Sequence, residues 1–528
     1  MNRRQFIAMS SLSVGTLLLN GCVAAPAAEA PTESNAVSAS ADESNEPQQG
    51  GTVRVAFTGD FGDLNPWSYD VMTAAMLVLT MYEPLVRLDA NFVLQPTLAE
   101  SWQSSEDGLR WTFQIRQGVA FHDGSPLSAA DVVYSMEQLL NPDNAYVGAQ
   151  GLSFVEGVAA VDEFTVEFTL SSPNMDFPII LATPQTSAVI APAGSTVEAL
   201  NETSLGTGPF KLKEYLAGEQ AIVTRNESYW RDGLPYLDEI QLLLIPESAA
   251  QVAALSSGEI DLMWLLGTES IPALENVDGV EIVEVTGSSY QPINMRMNQE
   301  PFTDNRVRQA MKYLVDREGF VQAVLQGRGL VGNDQPILPS APFAADLPPI
   351  EQDLEKAKAL LAEAGYPDGF ETTLATSTVR PGMLESAVVF QEMAKQAGVT
   401  VNLAQLPPDS YWSEHAGYPM AMSNWSVYAS TDLLLTLAVH SDAQWPETLM
   451  SNETVDALIE QARVEPDQAK RQELYTEIQQ IVQEEGGMIV PYIRSTFYAR
   501  RSEVQGVIYP ANGFMQLNEI GSVNVRLV

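Results

Sequence analysis

Few residues of this chain are placed to do chemistry. In Phe121-His122-Asp123-Gly124 an imidazole adjoins a carboxylate, which is the raw material of a general base. The Asp-Gly pair, however, reads as a tight turn and gives the histidine a structural setting. Tyr411-Trp412-Ser413-Glu414-His415 sets an acid next to a histidine, but adjacent residues on an element point apart and no third ligand lies near in sequence. Gly206-Thr207-Gly208-Pro209-Phe210 has the glycines of a phosphate loop without its lysine, and it opens a strand rather than a helix, so it reads as a turn. There is no G-x-S-x-G, H-E-x-x-H or Walker A pattern and no G-x-G-x-x-G after a strand. The acids are spread evenly, and no two stand out as a dyad for glycoside hydrolysis. What remains is aromatic and amide side chains at strand ends, of the kind that line a ligand cleft. Trp425, where Ala421 to Ser426 runs from a short strand into a polar loop, is the leading example, with a core tryptophan as the other reading. These residues describe a protein that binds, with no catalytic residue, no metal ligand and no cofactor.

The elements that must position such residues are short strands alternating with helices. Thr52–Phe57 reads as a strand. Leu109–Arg116 alternates, placing Trp111, Phe113 and Ile115 on one face, and Glu163–Leu170 does the same. Further strands are expected at 220–224, 239–244, 259–264, 280–285, 373–376, 399–406 and 488–499. Residues 305–325 carry apolar side chains at helical spacing and read as one helix. A second helix is expected over 466–485, with Pro466 in its first turn and Gly486-Gly487 at its end. The alternation implies α/β lobes with mixed sheets and no internal repeat, and the length of 528 residues implies at least two of them.

Composition narrows the partners. The chain has 27 Lys+Arg against 68 Asp+Glu, a formal charge of −41, which repels phosphate polyanions and anionic lipid head groups. Nucleic acid is therefore not an expected partner. One cysteine and three histidines leave no intrachain disulfide, no Cys-based zinc site and no His-rich metal centre. The hydrophobic fraction of 45% is that of a packed globular protein.

The first fifty residues read as an address. Arg3 and Arg4 precede an apolar stretch from Phe6 to Leu19 that is too short and too serine-rich to span a bilayer, so residues 1–21 read as an export signal. Leu19-Asn20-Gly21-Cys22 resembles a lipoprotein box, which makes Cys22 the expected site of lipid attachment. Arg3-Arg4-Gln5-Phe6 also resembles the twin-arginine export motif, with Asn2 in place of the usual Ser or Thr, so the export route stays open. Removing the signal takes two arginines and no acid, leaving the chain still more acidic. Residues 22–50, rich in Ala, Ser, Pro and Glu and free of aromatic residues, read as a flexible acidic tether.

A series of motifs then carries a family. Met81-Tyr82-Glu83-Pro84-Leu85, Leu98 to Trp102, Phe121 to Leu127 and Asp131 to Ser135 resemble, in order, the extracytoplasmic solute-binding proteins of ABC importers, family 5, the peptide and nickel type. Gly206 to Phe210, Asn226 with Tyr229-Trp230, Gly258 to Asp261, Pro301-Phe302 with Val307 to Ala310, Asp316-Arg317-Glu318 and Ala357 to Gly365 continue the series, and the resemblance covers about residues 51–510. It implies a periplasmic-binding-protein-like clamshell of two α/β lobes (type II) with an extra inserted domain. Lobe I would comprise 51–85, 204–292 and 496–528, the inserted domain 86–203, and lobe II 293–495. Hinge strands are expected near Ser289 to Met295 and Tyr492 to Tyr498.

The resemblance also implies site residues. Asp60 and Phe61 fall where family members contact ligand through an extended backbone, Tyr290 and Asn294 fall on a ligand-facing crossover, and Trp425 matches the cleft tryptophan. Peptide-binding members carry an Asp three residues after that Trp, which pairs with the peptide α-ammonium; here Tyr428 stands in its place. Asp432 is a candidate replacement, and Tyr428 beside Trp425 a candidate stacking platform for a sugar, a blocked peptide or a heterocycle. The implied function is a monomeric, lipid-anchored, extracytoplasmic receptor that captures a small-molecule or peptide ligand and delivers it to ABC permease subunits in the membrane. A peptide or peptide-like solute leads, an oligosaccharide or other solute is the alternative, and a metal chelate comes third. Outside this class, a secreted hydrolase predicts two carboxylates about 5 to 9.5 Å apart in the cleft, and an adhesive surface protein predicts no deep cavity.

Overall fold

The computed structural model describes residues 49–68, 72–509 and 526–527. The expected signal segment, Cys22 and the tether up to residue 48 lie outside the described residues. Among the described residues no helix is long and apolar enough to cross a membrane.

Thr52–Phe57 forms a strand in the middle of a nine-stranded mixed sheet, parallel to Glu239–Leu244 on one side and to Leu262–Met263 on the other. A central parallel strand is covered on both faces. Accordingly Val53, Val55 and Phe57 enter one core, while Ala56 enters a second with Leu255, Met263 and Phe497. Across the sheet the order is 425–426, 280–290, 492–501, 262–263, 52–57, 239–244, 220–225 and 210–216, with 329–331 added to 492–501. A five-stranded sheet, in the order 400–405, 371–376, 420–422, 293–295 and 488–489, underlies a separate core. Between residues 99 and 170 lies a four-stranded antiparallel sheet, where Trp111, Phe113 and Phe168 pack edge-on or tilted against Phe177.

Several expected elements are redrawn. The single helix over 305–325 is two, Asn305–Tyr313 and Arg317–Leu325, because Asp316 caps the second by accepting from the Gly319 N–H at 2.8 Å. The last long helix spans Gln468–Glu485 with Asp467 as its cap, so Pro466 precedes the helix instead of opening it. Asp304, Asp353 and Asn452 cap helices in the same way, which puts part of the acidic excess to structural use. The strand expected over 259–264 shrinks to Leu262–Met263. The stretch 488–499 is broken at Val490-Pro491 into strands of two different sheets, since Pro491 has no N–H to give a ladder.

That break is one of three places where the chain passes from the nine-stranded sheet to the five-stranded one. The others are Gln291-Pro292 and Ser423-Asn424. The three run side by side: 425–426, 280–290 and 492–501 are neighbours in the large sheet, and their continuations 420–422, 293–295 and 488–489 are neighbours in the small one. Polar bonds join them, with Tyr492 OH donating to Gln291 Oε1 at 2.7 Å, Asn294 Nδ2 to Ser423 Oγ at 2.8 Å and the Ser423 N–H to Pro292 O at 3.1 Å. The second crossing thus falls just before the Tyr492–Tyr498 stretch where it was expected, and a further one lies beside Trp425.

Several of the motif residues converge on one buried carboxylate. Glu83 accepts from Thr207 Oγ1 at 2.7 Å, Tyr229 OH at 2.8 Å and Trp230 Nε1 at 3.0 Å. Arg116 and Arg231 flank the Trp230 ring at 4.5 and 4.6 Å. Gly206 and Gly208 press so closely on the backbone of Met81 that a Cβ would lie 2.1 and 2.7 Å from its carbonyl oxygen. These positions therefore hold the fold together. Glu83→Gln, which turns one charged acceptor into a donor facing other donors, is expected to cost about 1–3 kcal/mol in urea unfolding; an unchanged midpoint would refute this role.

Candidate functional site

A cavity of about 790 Å³ opens between two parts of the chain that are distant in sequence, residues 147–186 and residues 426–463. This is within the size range of small-solute sites. Tyr428 and Trp445 supply an aromatic wall; Asn174, Gln150 and Gln185 supply amides on the opposite side. Asp432, Asp442 and Arg463 supply charge.

Trp425 stands directly behind that wall. It pairs with Tyr290 across the edge of the large sheet, and its ring centroid lies 6.2 Å from that of Tyr428 and 6.0 Å from that of Trp445. Trp425 is only 5% exposed, and its Nε1 has no partner among the described residues. Tyr290 is fully buried; burial raises its phenol pKa well above the ordinary range, and its OH is likewise unpartnered among the described residues. Burial also raises the Tyr428 phenol, so this aromatic group stays neutral near pH 7.

The other expected ligand residues are placed differently. Phe61 is fully buried in the first core, edge-on to Phe57 at 5.4 Å. Asp60 is exposed, accepts from the Phe61 N–H at 2.7 Å and does not line the cavity. Asn294 is buried against Ser423 between the crossings, away from the cavity wall. Every residue from Tyr290 to Met295 is buried, so burial singles out no ligand-facing position in this stretch. A segment wrapped by two sheets has no solvent face. Of the seven expected residues, Tyr428 and Asp432 line the cavity and Trp425 with Tyr290 supports it.

Asp432 lies in the first turn of the helix Thr431–Ala438, capped by Ser430, whose Oγ accepts from the Leu433 N–H at 3.0 Å. Both carboxylate oxygens sit 3.1 Å from a single donor, Arg463 Nε. Burial raises the Asp432 carboxyl pKa, and Arg463 opposes the shift. A second buried pair lies close by: Arg471 Nη2 donates to Asp176 Oδ1 at 2.5 Å, and Ser430 Oγ donates to Asp176 Oδ2 at 2.6 Å. The group comprises two acids and two guanidinium ions. Asp176, on the 147–186 side of the cavity, is thereby tied to the 426–471 side, as is the Met175 N–H, which donates to Arg463 O at 2.9 Å.

Sequence reasoning missed Trp445, Arg463 and the 147–186 wall. Trp445 and Arg463 occupy no recognised motif; the one available signal was a lone arginine in the last turn of the acid-rich helix Glu453–Val464. His122 and His415, by contrast, are structural. The His122 ring meets Ser204 O and Gly208 O at 3.3 and 3.0 Å, and His415 stacks on Tyr411 at 5.2 Å with Glu447 3.6 Å from its Nε2.

Comparison with known proteins places the chain among solute-binding proteins. Residues 93–444 match the family described as "Bacterial extracellular solute-binding proteins, family 5 Middle". The chain is 28% identical over 477 residues, 88% of its own length and 93% of the relative's, to the glutathione-binding protein GsiB of Salmonella paratyphi A. Among solved structures it resembles HbpA2 from Haemophilus parasuis, with a TM-score of 0.82 at 25% identity, covering 90% of this chain and 100% of that one. It also resembles the oligopeptide-binding protein AppA from Bacillus subtilis in complex with a nonapeptide, with a TM-score of 0.69 at 25% identity over 92% of this chain and 100% of that one. The mixed α/β architecture is accordingly a two-lobed clamshell.

Proposed function

The chain belongs to the bacterial extracellular solute-binding proteins of family 5, the receptors of ABC importers, and from that premise we propose that it captures a peptide or peptide-like solute in the cavity at Tyr428, Trp445, Asp432 and Arg463 and delivers it to permease subunits. In this reading a lipid on Cys22 and the acidic tether hold the receptor at the outer face of the membrane, and the lobes drawn from 51–85, 204–292 and 496–528 and from 293–495, with the insertion 86–203, close around the solute. The observation that carries it is the cavity, whose lining combines the aromatic rings of Tyr428 and Trp445 with amide side chains and the Asp432–Arg463 pair. The glutathione-binding relative and the nonapeptide-bound neighbour support a peptide-like ligand.

Calorimetric titration of the full-length protein with glutathione, di- to tetrapeptides, oligosaccharides and nickel–histidine complexes tests the reading. Binding of a peptide or of glutathione, weakened at least tenfold by Trp425→Ala through loss of the support behind Tyr428 and Trp445, is the expected result. Binding of sugars alone would favour the second reading, a non-peptide solute stacked on the Tyr428–Trp445 wall where the usual acid is missing. Membrane attachment is tested separately: Cys22→Ala should release the protein into the soluble fraction.

A further inference from the structure

We propose that the Asp432–Arg463 pair is a zwitterion anchor: it takes a free α-amino-acid head, an ammonium and a carboxylate on one carbon, as found in γ-glutamyl and other side-chain-linked peptides. This rests on the reading of the cavity as the solute site and names the class of solute.

The pair has unused bonding capacity on the cavity wall. A carboxylate offers about four acceptor positions, yet both oxygens of Asp432 share one N–H, that of Arg463 Nε, and no other donor reaches them among the described residues. The Asp432 side chain is 5% exposed, so water does little to supply what is missing. Arg463 spends Nε on Asp432 and Nη2 on Thr436 Oγ1 at 2.7 Å, while its Nη1 has no hydrogen bond among the described residues. Its side chain is 24% exposed and lines the cavity. The cavity wall thus presents spare acceptors beside spare donors, the mirror image of an ammonium beside a carboxylate.

Charge balance points the same way. With Asp176 and Arg471 the buried group already has two charges of each sign, and the remaining charged residue of the lining, Asp442, is exposed and solvated, so a lone cation or a lone anion bound at the Asp432–Arg463 pair would leave a buried charge uncompensated. A zwitterionic head adds none. An ordinary α-peptide cannot offer it, because its N-terminal residue has the ammonium but has committed its carboxylate to the peptide bond. A γ-linked peptide keeps both, and its body would extend along Tyr428 and Trp445.

The test compares isomers. The full-length protein is titrated with L-γ-glutamyl-L-alanine, with L-α-glutamyl-L-alanine, and with the γ-isomer either N-acetylated or converted to its α-amide. The expected result is at least tenfold tighter binding of the γ-isomer than of the α-isomer, and at least tenfold losses on acetylation and on amidation. Arg463→Met should reduce the acid-to-amide ratio below threefold while leaving the acetylation penalty, and Asp432→Asn should do the reverse. The unmodified protein suffices for the ligand comparisons, so a variant that fails to fold does not protect the proposal. Equal binding of the two isomers, or of acid and amide, overturns the anchor and leaves the peptide-receptor reading standing. Absence of binding by every peptide and by glutathione overturns both.

Discussion

Arg471→Met is expected to lower the stability of the folded body by about 3–5 kcal/mol in urea unfolding, the cost of leaving a buried carboxylate without its partner. Arg471 and Asp176 are 2% and 1% exposed, and their 2.5 Å contact joins the start of the helix Phe177–Ala182 to the helix Gln468–Glu485. The guanidinium also donates to Ala462 O at 3.1 Å and lies 4.9 Å from the centre of the Phe343 ring, so methionine replaces some of the packing and none of the charge. Removing both charges in Arg471→Met with Asp176→Leu should recover a large part of the loss, because the isolated acid is what costs most. A single variant as stable as the parent would refute this account of the pair.

The second large effect is acid sensitivity set by His122. Burial lowers its pKa from 6.5 to about 4, partly opposed by the carbonyls of Gly208 and Ser204. The unfolded chain therefore takes up a proton at this side chain near pH 6.5, whereas the folded chain resists it until about pH 4. The contribution is fully present above pH 6.5 and is lost as pH falls toward 4, amounting to about 3 kcal/mol over that window. Carboxylates whose pKa is lowered in the fold, such as Asp123 and Glu239, lose their contributions below about pH 4.5. His122→Gln should be less stable at pH 7.5 through weaker bonding to the 204–208 loop, and its stability should fall less steeply between pH 6.5 and 4.5. Parallel profiles for parent and variant would refute the assignment.

The architecture was largely legible in the sequence because it rests on local signals. Alternation in Leu109–Arg116 and the TVRVAF run each produced the strand they announced. The helix over 305–325 was misread because its apolar spacing continues across Asp316, whose capping bond outweighs the pattern. The cavity was much less legible. Its walls come from segments nearly 300 residues apart, and its charged pair depends on Arg463, whose meeting with Asp432 is a product of how two helices pack. The family's motifs pointed elsewhere for a physical reason: Glu83, Thr207, Tyr229 and Trp230 are tied to one another in the interior and have no free face for a solute.

The three crossings at Gln291-Pro292, Ser423-Asn424 and Val490-Pro491 have a mechanical consequence. Two links can swing and also twist; three in a row behave like the knuckles of a door. Rotation about the row bends each link equally and leaves the ladders on either side intact. Twist would have to shear the Tyr290–Ile493 and Ile293–Met422 pairings against one another. Proline at two of the three positions removes a backbone φ rotation from each, narrowing the path further. Any rotation of one sheet against the other is thereby guided about a single row. Trp425 directly follows the end crossing, so a rotation about the row would displace the aromatic wall it supports less than parts of the chain farther away.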